Sequence, residues 1–444
     1  MGNAPTHLHA CDSKPPPPTP FATTRITNAL LMAALEPQPS PPPNFPTAPL
    51  SAAASLGDRL RGGLLGIVLG DATAMHGHWY TNKRQLDRDY PDDRTYATPL
   101  QTHPNSPVAR AAAPRGTDRR AMMLGEAEKF LGFSGVHPHS FLSAGNNTIA
   151  VSTIHLFMRN VAMCGCFHRA AFLNSFANYM LAEPRKDTHV PTFYTEYFEN
   201  LALGFKPYRC GPEICADSMP GHAALFALPF AAFLTVASPL TGRELGLACA
   251  EFVQLFFRGF IMQNRVVLLA EAVEKVVRGG CLQDELGVYF RSHYGIDICA
   301  LAALEDDELV GSGAFGFSSS WDDTFVAAAA MAIKYEHSMS SALRCNAAMG
   351  GDSCLRGALL GGIIGLCHPE SVPETFLAGL KPGGGAPGTS VACAAAAATG
   401  GDELSAAYQG EGGIVPATHA FVAVALALHD KGGEGWIAVV VDDA

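Results

Sequence analysis

From Leu56 onward, apolar residues recur at the three- and four-residue spacing of helices. One such stretch begins near Thr148 and has Ile149, Val151, Ile154, Phe157 and Val161 among its apolar positions. Residues 167–181, 192–203, 222–236 and 242–277 continue in the same mode. Few segments alternate with period two, so the pattern predicts an all-α body. Within it, Asp322-Asp323-Thr324 precedes FVAAAAMAIKY and reads as a helix start. Acidic side chains there would cap free amides and meet the positive end of the helix.

The body is organised around residues 346–366, NAAMGGDSCLRGALLGGIIGL. Gly350-Gly351 interrupts the preceding helical pattern, and Asp352 and Ser353 stand where an N-cap belongs. In the helix that follows, Gly357, Gly361 and Gly365 lie four residues apart on one face. Each interior glycine costs about 1 kcal/mol against alanine, so three on one face imply another backbone packed close. Gly62, Gly66 and Gly70 repeat the spacing, and RGGLLGIVLG from Arg61 agrees with RGALLGGIIG from Arg356 at six of ten positions. Two glycine-faced helices, 61–71 and 356–366, are expected to cross in the core. Asp71, after the first, and Asp352, before the second, would then sit at their polar ends.

Elsewhere the pattern fails. Residues 1–50 hold 13 of the 31 prolines and only Asp12 and Glu36 as acids. They cannot bury a core and read as a disordered tail. Met1-Gly2-Asn3-Ala4-Pro5-Thr6 also fits a myristoylation pattern, and the Ser/Thr/Pro content fits a transit peptide. Residues 81–120 are polar and proline-broken, as in a long surface loop, and 381–402 are rich in Gly and Ala. The organisation read from this is a tail over 1–54, one helical domain over 55–381, and a linker with a loosely specified C-terminal appendage over 382–444. The apolar run 223–237 is interrupted by Pro229 and shorter than the about 20 residues of a membrane span, so it reads as a buried core helix. GGGAPGTS (383–390) imitates a phosphate loop but has Thr389 at the lysine position, and it reads as a plain loop.

Charge and cysteine usage narrow the function classes. A net charge of −11 with no long Lys/Arg run argues against a nucleic-acid partner. The twelve cysteines are scattered, with no C-x-x-C, so neither a disulfide framework nor a zinc site is expected. Reduced thiols and an intracellular, cytoplasmic location follow.

Two clusters carry candidate chemistry. His76 and His78 flank Gly77; two histidines are too few for a metal site, and a loop histidine with a local hydrogen bond is the simpler reading. Ser143-Ala144-Gly145-Asn146-Asn147-Thr148 places two amides and a hydroxyl at a helix start. Capping accounts for one of them. Facing Asp352-Ser353 across crossed helices, they would line a pocket suited to sugar hydroxyls or a hard cation.

GLLGIVLGDATAMHGHWYTN (63–82), SAGNNTIA (143–150) and MGGDSCLRGALLGGIIG (349–365), with WDDTFVAAAAMAIKY and PETFLAGL (373–380), resemble in order the motifs of the ADP-ribosylglycohydrolase family, most closely its J1-crystallin-like branch. The resemblance spans residues 58–381. It implies a compact all-α bundle and a hydrolase that cleaves the bond joining ADP-ribose to an acceptor. It also implies a magnesium pair between two acidic motifs, with ADP-ribose or an ADP-ribosylated substrate as the partner. Here the family's Thr-Asp-Asp-Thr is Gly145-Asn146-Asn147-Thr148. In the second motif Asp352 remains, while Ser353, Cys354 and Leu355 replace Thr, Asp and Thr. His78 stands where an acidic residue is common. On the hydrolase reading, Asp352 is the remaining acid and, with Thr148, a metal ligand, and His78 takes the proton-transfer role. Asn146, Asn147, Thr148, Ser353 and Asp71 then contact the substrate. On the alternative reading, the missing carboxylates mark a non-catalytic ADP-ribose-binding module or a crystallin-like structural protein.

Overall fold

The computed structural model describes residues 54–91, 95–105, 129, 135–182, 187, 189–215, 219–311, 313–381, 414–433 and 435–437. The proline-rich tail and its targeting readings, and the GGGAPGTS loop, lie outside the described residues. Ser55 starts the first helix: its hydroxyl accepts the Asp58 amide, and the Asp58 carboxylate takes the Ser55 amide in return. That helix, α1, spans Leu56–Ala74. It is followed by α2 (Lys83–Asp89), α3 (Ile149–Cys164), α4 (Arg169–Ala182), α5 (Thr192–Ala202), α6 (His222–Ala237), α7 (Gly242–Val253) and α8 (Phe260–Val277). Then come α9 (Leu282–Tyr294), α10 (Ala327–Lys334), α11 (Met339–Met349), α12 (Ser353–Cys367) and α13 (Ile414–Asp430), with short turns between. Among the described residues only isolated β-bridges occur outside helices, so the all-α expectation holds.

Helix α6 is the central post: every one of its residues is buried, and α1, α7, α8, α12 and α13 pack around it. Among the described residues, no helix is long and apolar enough to cross a membrane. The main contact of the core is α1 against α12, running antiparallel. Gly62 meets Gly365, Gly66 meets Gly361 and Gly70 meets Gly357, and a methyl on any of the six would overlap the carbonyl oxygen of its counterpart. The energetic cost of the six glycines is therefore offset by a backbone-on-backbone approach that no side chain permits.

Three expectations change. The loop over 81–120 contains α2, whose Leu86 is fully buried and packs with Tyr80 and Tyr90. The appendage over 382–444 contributes α13 to the core. Phe421 there is fully buried against Phe157 and Phe233, because α13 supplies an apolar face that α3 and α6 leave open. Asp323 does not cap a helix. It sits in a π-helical turn, Asp322–Val326, and accepts from the amides of Gly316 and Ser318 and the Ser318 hydroxyl, pinning the preceding loop.

Candidate functional site

The antiparallel crossing brings the C-terminal end of α1 to the N-terminal end of α12. Asp352 caps α12 through the Leu355 amide at 3.2 Å. The turn before it is held on all sides. Gly350 and Gly351 both adopt positive φ, and side chains there would strike the Tyr80 carbonyl and Phe317. The Trp79 amide donates to the Gly351 carbonyl at 2.6 Å, and the Gly351 amide donates to Tyr80 at 2.8 Å. Fully buried Arg356 donates to the Asn346 side chain and the Gly350 carbonyl, each at 2.7 Å. Trp79 itself has φ 67°, a rare conformation for a bulky residue. Its indole N–H is buried without a hydrogen-bond partner.

A cavity of about 240 Å³ opens at this end of the crossing. Asp71, His78, Thr148 and Asp352, four of the expected site residues, line it together. Asp71 is a strut: its carboxylate accepts from Asn147 Nδ2 at 2.9 Å, the Thr148 amide at 2.7 Å and the Thr148 hydroxyl at 2.7 Å. The bonds tie the start of α3 to the end of α1. Three expected residues do not line the cavity. Asn147 spends its amide on the Val68 carbonyl and Asp71. Asn146 accepts the Ser143 amide within its own turn. The fully buried Ser353 hydroxyl donates to the Ala74 carbonyl at 2.9 Å. Each spends a polar atom on a backbone group of the protein, which must find a partner. Nor is His78 a loop histidine with only a local bond. It is 4 % exposed, with Nδ1 3.5 Å from Asp352 Oδ1 and within 3.5 Å of the Cys354 amide.

The cavity also gathers His139, Asp187, His189, Cys354 and Trp79, which sequence reasoning did not assign to a site. Asp187 lies 3.1 Å from His139 Nδ1 through both oxygens, and His139 Nε2 points at Cys354 Sγ, 4.0 Å away. The only local signals were His137-Pro138-His139 and Asp187-Thr188-His189, each unremarkable alone. Burial, then the neighbouring imidazoles, keep His78 well below the ordinary imidazole range. The same burial takes His189 and His103 down to about 4. His139 moves the other way: burial pulls it down, but Asp187, joined by Asp71 and Asp352, more than offsets this. Burial raises Asp71 to about 6 against the Thr148 and Asn147 hydrogen bonds. Burial, and then Asp71, Asp352 and Asp187, push the Cys354 thiol up.

These donors do not fit the magnesium pair that the family resemblance implies. Magnesium takes six hard oxygen donors, whereas Asp71 has its carboxylate hydrogen-bonded to Asn147 and Thr148, and Thr148 gives its hydroxyl proton to Asp71. Asp352 and Asp187 also face the cavity, but Asp352 Oδ1 takes the Leu355 amide and Asp187 lies against His139, and the remaining donors include imidazoles and a thiol, a set suited to softer ions.

Against known proteins, a family model described as ADP-ribosylglycohydrolase matches residues 52–413. A solved structure described as an ADP-ribosylglycohydrolase-related protein complex is 15% identical, with 85% of this chain and 99% of that chain covered and a TM-score of 0.47. No curated protein matches the chain.

Proposed function

The chain belongs to the ADP-ribosylglycohydrolase family, and from that premise we propose that it hydrolyses a ribosyl glycosidic bond, with Asp352 facing the sugar. The observation that carries this reading is the meeting of Asp71, His78, Thr148 and Asp352 in one cavity at the end of the glycine crossing. A volume of about 240 Å³ is below the roughly 300–1,000 Å³ of common small-molecule sites, so it suits one ribosyl unit. The rest of an ADP-ribose would lie outside, past exposed Thr192 and half-buried Ser319 at the rim.

In this reading Asp352 meets the positive charge that develops on the sugar ring as the bond breaks. Its Oδ1 is held by the Leu355 amide. The Thr148 oxygen keeps lone pairs for a sugar hydroxyl while its O–H stays directed at Asp71. The unpartnered Trp79 indole N–H offers a donor to an oxygen of the ligand. His78, kept uncharged, presents a lone pair to a hydroxyl or water. Asp71 positions Thr148 and is not asked to react. No magnesium takes part.

A second reading, ADP-ribose binding without turnover, has its own support: the amides of Asn146 and Asn147 stand where the family has carboxylates, and both are tied into the protein. One experiment separates the two. Release of free ADP-ribose would be measured from ADP-ribosylated arginine, serine and small ribosyl compounds, for wild type and Asp352→Ala. The hydrolase reading expects turnover that falls by about 10²–10³-fold in the variant. Equal turnover in both removes Asp352 from the site. Saturable ADP-ribose binding with no turnover selects the binding module.

A further inference from the structure

We propose that His78, His139 and Cys354 form a binding site for a borderline-soft transition-metal dication of the zinc class, set in the wall of the cavity. The donors come from residues far apart in the chain, which is why no local spacing announces them. Their ligand atoms lie within 4.8 Å of one another, and the Cys354 Sγ to His139 Nε2 separation is 4.0 Å. A tetrahedral zinc, with bonds of about 2.0–2.1 Å to nitrogen and about 2.3 Å to sulfur, sets its ligands somewhat closer than this. Small side-chain rotations about a central ion close the difference.

Three further observations favour a cation. The Asp187 carboxylate holds His139 by Nδ1 through both oxygens at 3.1 Å, leaving Nε2 directed at Cys354. Carboxylate–histidine pairs of this kind orient metal-binding imidazoles. Asp187 is itself 1 % exposed and positioned by the His189 amide at 3.3 Å and the Ile149 amide at 3.4 Å. Next, the charge around the three donors is negative and enclosed. Asp71, Asp187 and Asp352 line the cavity, while among its described lining residues there is no Lys or Arg. A dication offsets that charge. Last, the donors are rigid: His78, His139 and Cys354 are 4 %, 1 % and 2 % exposed, so little conformational entropy remains to be lost on binding.

The same three atoms with Asp187 resemble a Cys–His–Asp nucleophile relay. The three carboxylates decide against it, because they repel a free thiolate and attract a metal-bound one. On binding, the Cys354 S–H bond gives way to a sulfur–metal bond and the proton leaves to solvent. Three protein donors leave a further position, toward Asp352, whose Oδ1 is 3.5 Å from His78 Nδ1, or toward the cavity. With an ion present, His78 faces the ion, and a water or substrate oxygen meets that open position. The site is readable without any hydrolysis, so its failure and that of the functional reading are separable.

The test uses the untagged full chain, stripped with chelator and titrated with Zn²⁺ and, as a spectroscopic probe, Co²⁺. One tight equivalent is expected, with tetrahedral ligand-field bands and a sulfur-to-cobalt charge-transfer band. Cys354→Ser should remove the charge-transfer band. His78→Ala and His139→Ala should weaken binding at least tenfold, and Asp187→Asn, outside the donor set, about 10–100-fold. Absence of a stoichiometric ion would overturn the proposal, as would Co²⁺ binding without the sulfur band. Both readouts need only the wild-type chain, so a variant that fails to fold does not protect the idea.

Discussion

The middle of the α1–α12 crossing and its polar end are built from the same two helices yet obey opposite rules. In the middle, Gly62, Gly66 and Gly70 face Gly365, Gly361 and Gly357, and space is so short that no side chain fits. At the end, one turn further, Asp71, His78, Thr148, Asp352 and Cys354 surround about 240 Å³ of open volume. In the middle, geometry alone dictates the residue. At the end, the requirement is that each polar atom find a partner, and several residue types meet it. The contrast explains why the crossing admits only glycine while its tip admits several polar residue types.

The largest expected effect tests the middle. Gly361→Leu drives a side chain into the Gly66 backbone, and overpacking of about 3 kcal/mol or more should cost the chain most of its stability. A denaturant melt decides; an unchanged midpoint would mean the helices separate freely there. Next is the end: Asp71→Ala strands one Asn147 N–H and two Thr148 donors in a buried setting. A loss of about 2–4 kcal/mol is expected from the same melt. Asn147→Asp should cost less, about 1–3 kcal/mol at neutral pH. It exchanges a donor for a second carboxylate beside Asp71, and the near-equal volume isolates the charge effect. A stability equal to wild type would show that Asn147 is exchangeable after all.

The far end of α12 supplies a control with histidine in the opposite state. His368 follows the last turn, with Nε2 3.1 Å from Glu336 and Nδ1 3.1 Å from Glu370. Burial pulls its pKa down, but the two glutamates outweigh this and raise it above the ordinary 6.5. A raised folded value means that its contribution is complete below pH 6.5 and is lost as pH rises through the folded value. Melts of wild type and His368→Gln across pH 5.5–8.5 should converge at the alkaline end, within the pH range set roughly by the imidazole. Curves that stay parallel would remove the linkage. The smallest effect separates glycines by surroundings. Gly287, inside α9, has nothing near its missing side chain, so Gly287→Ala should stabilise by about 0.4–1 kcal/mol.

Much of this was legible in the chain. The repeated glycine spacing, Gly62-Gly66-Gly70 against Gly357-Gly361-Gly365, indicated the crossing and its polar end, and Asp352 read as the N-cap it is. The Asn-Asn-Thr motif stands at the expected helix start, with Thr148 facing the cavity while Asn146 and Asn147 turn into the protein. A side chain at a helix start looks the same in sequence whether it turns to a ligand or, like Asn147, to a buried carbonyl. Helix α13 was missed as core because a long Gly/Ala stretch separates it from the rest of the pattern.

Period and local spacing determined by themselves what depends on near neighbours: the helical class, the glycine faces and the caps. Each of these is decided within a few residues, by the geometry of one turn. Only the tertiary structure decided that His78, His139, Asp187 and Cys354 share one wall. They come from four separate segments and are joined by no repeat, so nothing local relates them. Their common environment is made by burial and by the Asp71 and Asp352 carboxylates that the fold encloses with them, and both are properties of the packed chain alone.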